Sequence, residues 1–263
     1  MTGGADWFSP RLVAPGLWAL EEGSFVRSWL VVGAVSAALV DSGLGIGDIA
    51  AAARRLTDRS LLVLTTHAHW DHVGGHARLP PAWVHPLEAP RLLCPYPSQR
   101  LARFLAGQRW PRPFPPGFRP RRYRIRAAGP GPAWQGGDRL DLGGRELLAV
   151  DLAGHTPGHL GVLDVASGTL LAGDAVASDW LWAQEAAAAL PRWAAALTVA
   201  AALPVARVEA SHGPSPLPPE ALLAAAESLQ RVPSLPWRRR SDGLWAVGAE
   251  PGVLLAATAR PPS

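Results

Sequence analysis

Lysine and asparagine are absent from this 263-residue chain, and cysteine and methionine occur once each. The lone Cys94 excludes an internal disulfide, and no CxxC or Cys/His cluster surrounds it. Because all 25 basic residues are arginine, the formal charge of +4 reads as a compositional bias more than as a nucleic-acid signature. Long apolar runs are missing as well. The longest, residues 186–206, is interrupted by Pro191, Arg192 and Pro204 and is mostly alanine, too weakly apolar for a bilayer-spanning helix. The amino terminus has no basic segment followed by an apolar one, so no secretory signal is expected and the expected location is cytoplasmic.

What is present suits a folded α/β chain. With 48% hydrophobic residues it can bury a substantial core. Short runs rich in Val, Leu and Trp, at Leu17 to Leu20, Trp29 to Val32 and Ala37 to Val40, are separated by glycine-containing turns and read as antiparallel strands. Helical spacing follows from Gly47 to Leu56, with Ile49, Ala53 and Leu56 on one side, and Leu61 to Leu64 is a continuous apolar strand. Strand-like runs resume at Leu147 to Val150, Leu160 to Val165 and Thr169 to Leu171. An alanine-rich helix is predicted near Ala186 to Ala202, a strand at Arg207 to Ala210, a helix from Pro218 to Leu229, and a closing hairpin from Leu244 to Val247 and Val253 to Ala256. Strands, then strands with helices, twice over, predict two sheets flanked by helices. No fixed-period repeat is present.

Between these elements the chain concentrates metal-ligand residue types. Thr66-His67-Ala68-His69-Trp70-Asp71-His72 sets three imidazoles and a carboxylate directly after a strand predicted to be buried. Imidazole and carboxylate suit a borderline divalent ion such as zinc, and the tight spacing lets neighbouring side chains diverge toward two ions. Clustered buried histidines without a partner are costly, which argues against a purely structural role. Gly154-His155-Thr156-Pro157-Gly158-His159, Leu171-Ala172-Gly173-Asp174 and Ser211-His212-Gly213-Pro214 each put another ligand-type residue at a predicted strand end, where a rigid scaffold presents binding groups. Taken singly, Asp174 reads equally well as part of an ordinary Gly-Asp turn. His76 and His85 read as partly exposed residues on a helix and a strand.

His-x-His-x-Asp-His at 67–72, Gly-His-Thr-Pro-Gly-His at 154–159, Gly-Asp at 173–174 and Ser-His-Gly-Pro at 211–214, in this order, resemble the metallo-β-lactamase superfamily over most of the chain. The resemblance implies a single domain over residues 1–263, an α/β fold built as a four-layer αββα sandwich with metals at one edge of the two sheets. It implies that His67, His69 and His155 hold one divalent ion, that Asp71, His72 and His212 hold another, and that Asp174 bridges both. Zinc is the expected metal, with iron or manganese as alternatives. Such a pair lowers the pKa of a bound water from about 15.7 toward 7 and polarises the scissile carbonyl, so hydroxide rather than a side chain is the expected nucleophile. Asp71 is the candidate catalytic proton acceptor. Asp41 resembles a carboxylate that braces the metal loop, with turn capping as the alternative, and His159 is a candidate for orienting the loop that carries His155. Where β-lactamases of the best-known subclass have cysteine, this chain has Asp174, which turns the resemblance toward the glyoxalase II, lactonase and acyl-coenzyme A thioesterase branches.

The substrate would be decided elsewhere. From Arg91 to Arg126 there are ten arginines and no acidic residue, interleaved with Tyr96, Phe104, Trp110, Phe114, Phe118 and Tyr123. Residues 94–135, rich in Pro and Arg, read as an insertion or lid whose Arg121, Arg122 and Arg124 are candidate contacts for an anionic, partly apolar substrate; a solvated surface loop is the alternative. Trp180 and Trp182 are candidates for an apolar wall, or for core packing. The expected activity is hydrolysis of an ester, thioester or lactone, and the expected partner is a small molecule rather than nucleic acid or a membrane. Oligomeric state stays open. Two rival activities share the motif set: a nucleic-acid phosphodiesterase gripping RNA through the arginines, and an iron-dependent persulfide dioxygenase using only residues of the His67, His155 and Asp174 type.

Overall fold

A computed structural model describes residues 5–183, 189–234, 236, 238–239, 245–247 and 252–255. The chain divides into two compact units, Met1–Leu147 and Leu148–Ser263. In the first unit, β1 (Phe8–Ala14), β2 (Leu17–Glu22), β3 (Val26–Val32), β4 (Ser36–Val40), β5 (Ser60–Leu64), β6 (Ala82–Val84) and β7 (Pro130–Ala133) form one sheet in that order. Pairing is antiparallel from β1 to β4 and parallel from β4 to β7. The β1 strand was not evident from the sequence because Pro10 interrupts it; as an edge strand it tolerates a residue without an N–H. Parallel pairing of β4 with β5 requires a crossover. The crossover carries α1 (Ile49–Arg54), started by Asp48, whose side chain accepts a hydrogen bond from Ala51 N at 3.0 Å.

Two short helices, α2 (Trp70–Val73) and α3 (Ala89–Leu92), precede a ten-residue helix, α4 (Ser98–Gly107), inside the Arg/Pro-rich segment. Nothing in the composition of residues 94–135 predicts α4, yet Leu101, Phe104 and Leu105 recur at helical spacing, and Leu101 and Leu105 are buried. The aromatic residues of the segment are likewise engaged. Trp110 and Phe114 pack on Trp7 at centroid distances of 5.9 and 5.6 Å, and Phe104 packs on Phe25 and Trp70 at 5.0 and 4.7 Å. These tilted and edge-on contacts tie the segment to the core of its own unit. β8 (Arg139–Asp141) then leads into β9 (Glu146–Asp151), the strand in which the two units divide.

The second unit adds β10 (Leu160–Asp164), β11 (Thr169–Gly173) and β13 (Arg207–Ala210) to β9, in the order β13-β11-β10-β9. β10 and β11 are antiparallel, whereas β11 and β13 are parallel. β12 (Trp180–Trp182), β14 (Arg238–Arg239), β15 (Trp245–Val247) and β16 (Gly252–Leu255) make a smaller sheet. Helices α5 (Leu190–Ala201) and α6 (Ala221–Arg231) bury Trp193, Leu197, Leu222 and Leu229 against Leu163, Leu170 and Val208. Residues 186–188 of the helix expected from Ala186 lie outside the described residues, as do Leu244 and Ala256 of the expected hairpin. The remainder of that hairpin is present as the antiparallel pair β15 and β16. Among the described residues no helix is long and apolar enough to cross a membrane.

Candidate metal centre

In the first unit the parallel register that pairs Val40 with Leu64 brings the ends of β4 and β5 side by side, so Asp41 and Thr66 leave the sheet together. Asp41 adopts φ +61°, a left-handed conformation that is costly for a residue with a Cβ. Its carboxylate is fully buried and saturated by donors: Oδ1 accepts from Thr66 N at 2.8 Å, and Oδ2 from Thr66 Oγ1 at 2.7 Å and His72 Nδ1 at 2.9 Å. Because the Thr66 hydroxyl donates to Asp41, its oxygen is left to accept from His67 Nδ1 at 3.1 Å. By accepting, directly from His72 and through the Thr66 hydroxyl from His67, one carboxylate keeps the proton of both rings on Nδ1 and leaves the Nε2 lone pairs for a metal. Both imidazoles are buried, with ring centroids 4.0 Å apart, and His67 Nε2 lies 3.1 Å from His69 Nδ1. His72 Nε2 lies 4.0 Å from Asp71 Oδ1.

The histidine loop is held by residues the sequence did not single out. Glu88, fully buried, accepts from Ala68 N at 3.0 Å, and Tyr96 donates its hydroxyl to Ala68 O at 2.5 Å, so the peptide between His67 and His69 is gripped on both sides. Nothing in the sequence marks Glu88 for this task. Tyr96 comes from the Arg/Pro-rich segment. His76 corrects the expectation of a partly exposed residue: it is buried, with Nδ1 2.6 Å from Ser42 Oγ and Nε2 2.9 Å from Thr65 Oγ1. Burial, and next the neighbouring His72, push its pKa down to about 3, so it bridges the two strand ends as a neutral ring. His85 is half-buried, as expected. Gly45 lies where an added Cβ would come within 2.1 Å of Gly74 O, so this crossing of two backbones behind α2 admits only glycine.

The loop containing Gly45 is organised by Glu22, which is completely buried at the end of β2 and accepts from Trp7 Nε1 and from the backbone N–H groups of Leu44, Ile46 and Gly47. Burial outweighs these four donors and raises its pKa from 4.5 to about 7. The folded state therefore keeps a proton over a range in which the unfolded chain has lost it. The associated stability is whole below pH 4.5 and is lost as pH rises through about 7. Between about pH 5 and 8 the parent is expected to lose on the order of 3 kcal/mol relative to Glu22→Gln, measured by denaturant unfolding at constant metal. Parallel pH profiles for the two proteins would contradict it.

In the second unit Gly154 precedes His155 at a point where an added Cβ would meet Trp193 Cβ at 2.0 Å, so α5 packs directly on the backbone of the loop. His155 Nδ1 lies 2.6 Å from the carbonyl oxygen of Trp182, to which it donates, and this turns Nε2 toward Asp174 Oδ2 at 3.4 Å. Asp174 directly follows β11, and the parallel pairing of β11 with β13 brings Ser211 and His212 to the same end, with Ser211 N donating to Gly173 O at 3.0 Å. His212 Nε2 then faces Asp174 Oδ1 at 3.3 Å. Each carboxylate oxygen of Asp174 thus addresses a different imidazole. His159 accepts from Asp174 N through Nε2 at 3.1 Å and holds that backbone in place. Leu181 enters the core while Trp180 is half-buried and Trp182 is 37% exposed, so the contribution of Trp182 to this group is its backbone carbonyl, which a sequence pattern does not reveal.

Each unit therefore carries imidazole and carboxylate groups that could hold metal: His67, His69, Asp71 and His72 in the first, and His155, Asp174 and His212 in the second. Of the three arginines singled out, Arg122 and Arg124 line one groove, whereas Arg121 lines a separate depression with Gln99, Ala102 and Arg103.

Comparison with known proteins follows the same lines. A family profile described as the metallo-beta-lactamase superfamily matches residues 22–229. The chain is 30% identical over 194 residues to the acyl-coenzyme A thioesterase MBLAC2 of Gallus gallus and 28% identical over 197 residues to that of Bos taurus, each match covering 67% of this chain and 70% of the relative. Among solved structures, BJP-1, a subclass B3 metallo-beta-lactamase of Bradyrhizobium japonicum, superposes with a TM-score of 0.62 at 20% identity over 85% of this chain and 91% of that one. A metallo-beta-lactamase family protein from Thermus thermophilus gives 0.58 at 24% identity over 83% and 79%. At these identities the structures establish the α/β fold and nothing narrower.

Proposed function

Since the chain belongs to the metallo-β-lactamase superfamily and is a hydrolase of that fold, we propose that it cleaves the thioester bond of acyl-coenzyme A substrates at a centre of two divalent metal ions. The observation that carries the dinuclear reading is Asp174, whose two oxygens face His155 and His212 separately at 3.4 and 3.3 Å, an arrangement suited to a shared carboxylate. The donor set fits zinc, being imidazole nitrogen and carboxylate oxygen throughout. His67, His69 and His155 would hold one ion, Asp71, His72 and His212 the other, and Asp174 both. When bound, such ions lower the pKa of water to about 7 and polarise a carbonyl oxygen.

The remaining work falls to the protein. Asp41 and the Trp182 carbonyl keep Nδ1 protonated on His67, His72 and His155 and so present Nε2 as the donor atom. Glu88 and Tyr96 fix the spacing of His67 and His69, and His159 fixes the backbone from which Asp174 projects. The Asp71 carboxylate accepts the proton released as water adds to the thioester carbonyl. Thioesterase relatives support the choice of thioester among the carbonyl substrates.

Metal analysis of protein purified without added metal, paired with thioester, lactone, β-lactam and phosphodiester substrates, tests this reading. About two equivalents of zinc, alone or mixed with iron or manganese, and thiol release from an acyl-coenzyme A are expected. One tightly bound iron per chain, with oxygen consumed on glutathione persulfide, would overturn it.

A further inference from the structure

After the single turn at Pro120–Arg122 the chain runs extended, and burial alternates residue by residue: Tyr123 and Ile125 are buried, while Arg122, Arg124 and Arg126 are exposed. Side chains of an extended chain point alternately to opposite faces, so anchoring one set commits the other. The anchors are specific. Tyr123 donates its hydroxyl to Leu44 O and packs on Phe118 at 5.6 Å, and Ile125 forms an antiparallel bridge with Tyr96. Arg124 and Arg126 alternate with these anchors and, together with Arg122 of the turn, Arg78, Arg119, Tyr123 and Ile125, line an open groove of about 1090 Å³ with no carboxylate in its lining among the described residues. Arg78 is braced there by hydrogen bonds from Nη2 to the Gly45 and Gly47 carbonyls at 2.9 and 2.8 Å.

Five guanidinium groups around one groove repel one another unless an anion lies between them, and their planar forks match phosphate oxygens two at a time. The volume is that of a small-molecule site, and such sites run to about 1000 Å³. The groove also adjoins the first unit's histidine loop. Tyr96, which grips Ala68 O, lines it, as does Gly74, which ends the helix carrying Asp71 and His72. We propose that this groove is a phosphate-binding site that takes the nucleotide end of an acyl-coenzyme A. The identity of the ligand rests on the thioesterase reading; its anionic character does not. The phosphates of such a substrate are remote from the thioester, so their contacts are equal in ground and transition states and act on KM rather than kcat.

The test uses the metal-loaded protein carrying Arg122→Gln, Arg124→Gln and Arg126→Gln together, all three exposed. Arg121→Gln, in its separate depression, controls for removal of an arginine outside the groove. Desulfo-coenzyme A, which has no bond to cleave, reports binding by calorimetry, while an acyl-coenzyme A and a neutral truncated thioester of the same acyl group report kinetics. The triple variant is expected to bind desulfo-coenzyme A at least about tenfold more weakly and to show a matching rise in KM for the acyl-coenzyme A, with kcat and the neutral thioester little changed. Raising salt to about 0.5 M should reproduce this in the parent, and Arg121→Gln should not. Equal binding of desulfo-coenzyme A by parent and triple variant overturns the groove while leaving the hydrolase intact. Arginine-dependent binding without hydrolysis of either thioester upholds the groove and overturns the thioesterase reading. Arginine-dependent binding of RNA but not of desulfo-coenzyme A overturns the proposal.

Discussion

Asp174→Ala is expected to reduce turnover by at least about 10³-fold and to cut metal content from two ions to at most one per chain, because it removes the carboxylate proposed to serve both. Two divalent cations held close together repel strongly, and a shared negative group is what offsets the repulsion. The fold should survive. Asp174 is anchored through its backbone, whose N–H donates to His159, and its side chain contributes nothing to the apolar core of the second unit. Asp174→Asn keeps the shape but not the charge and is expected to resemble alanine in metal content. Elemental analysis after gel filtration, with thermal melting as a control for folding, reads the result. Two tightly retained ions in either variant would contradict the bridging role.

Asp71→Ala should lower kcat by about 10² to 10⁴-fold, the range attributed to a positioned proton acceptor, with the fold again intact. Asp71 sits in the first turn of α2 with its side chain 11% exposed, and no core packing depends on it. As both a proposed metal ligand and a proposed proton acceptor it calls for a measurement that separates the two. Activity is therefore measured over a zinc titration: a residue that only binds metal is restored at saturating zinc, whereas loss of the proton acceptor persists there. Full recovery at high zinc would remove the acid–base role, and normal activity without added metal would make the second ion dispensable.

Much of this chain is legible because its signals are local. The alternation of Val, Leu and Trp runs with glycine turns identifies β2 to β5 and β9 to β11 within two residues, except that β3 starts three residues earlier than expected, and the histidine motif fits in six consecutive positions, so no tertiary knowledge is needed to notice it. Helix α4 was hidden for a compositional reason: Pro and Arg dominate residues 94–135 as a whole, although residues 98–107 contain no proline and repeat apolar side chains at helical spacing. His76 was misjudged because exposure is not a local property. Its two hydrogen-bond partners, Ser42 and Thr65, become neighbours only when β4 and β5 pair in parallel.

The order of four short motifs was sufficient to place the chain, by resemblance, in a hydrolase family of α/β fold and to name seven candidate ligands, since each motif is a run of neighbouring residues. The bracing of those ligands came from folding alone. Glu88 and Tyr96 on the peptide of Ala68, the Trp182 carbonyl on His155, and Glu22 beneath the Leu44–Gly47 loop all act across 20 to 28 residues of chain. Hydrogen bonds depend on distance in space, and that distance is set by strand pairing and register rather than by position along the chain. The same holds for the arginines. Ten occur in one stretch, but only the folded chain gathers Arg122, Arg124 and Arg126 around one groove with Arg78 and leaves Arg121 in a separate depression.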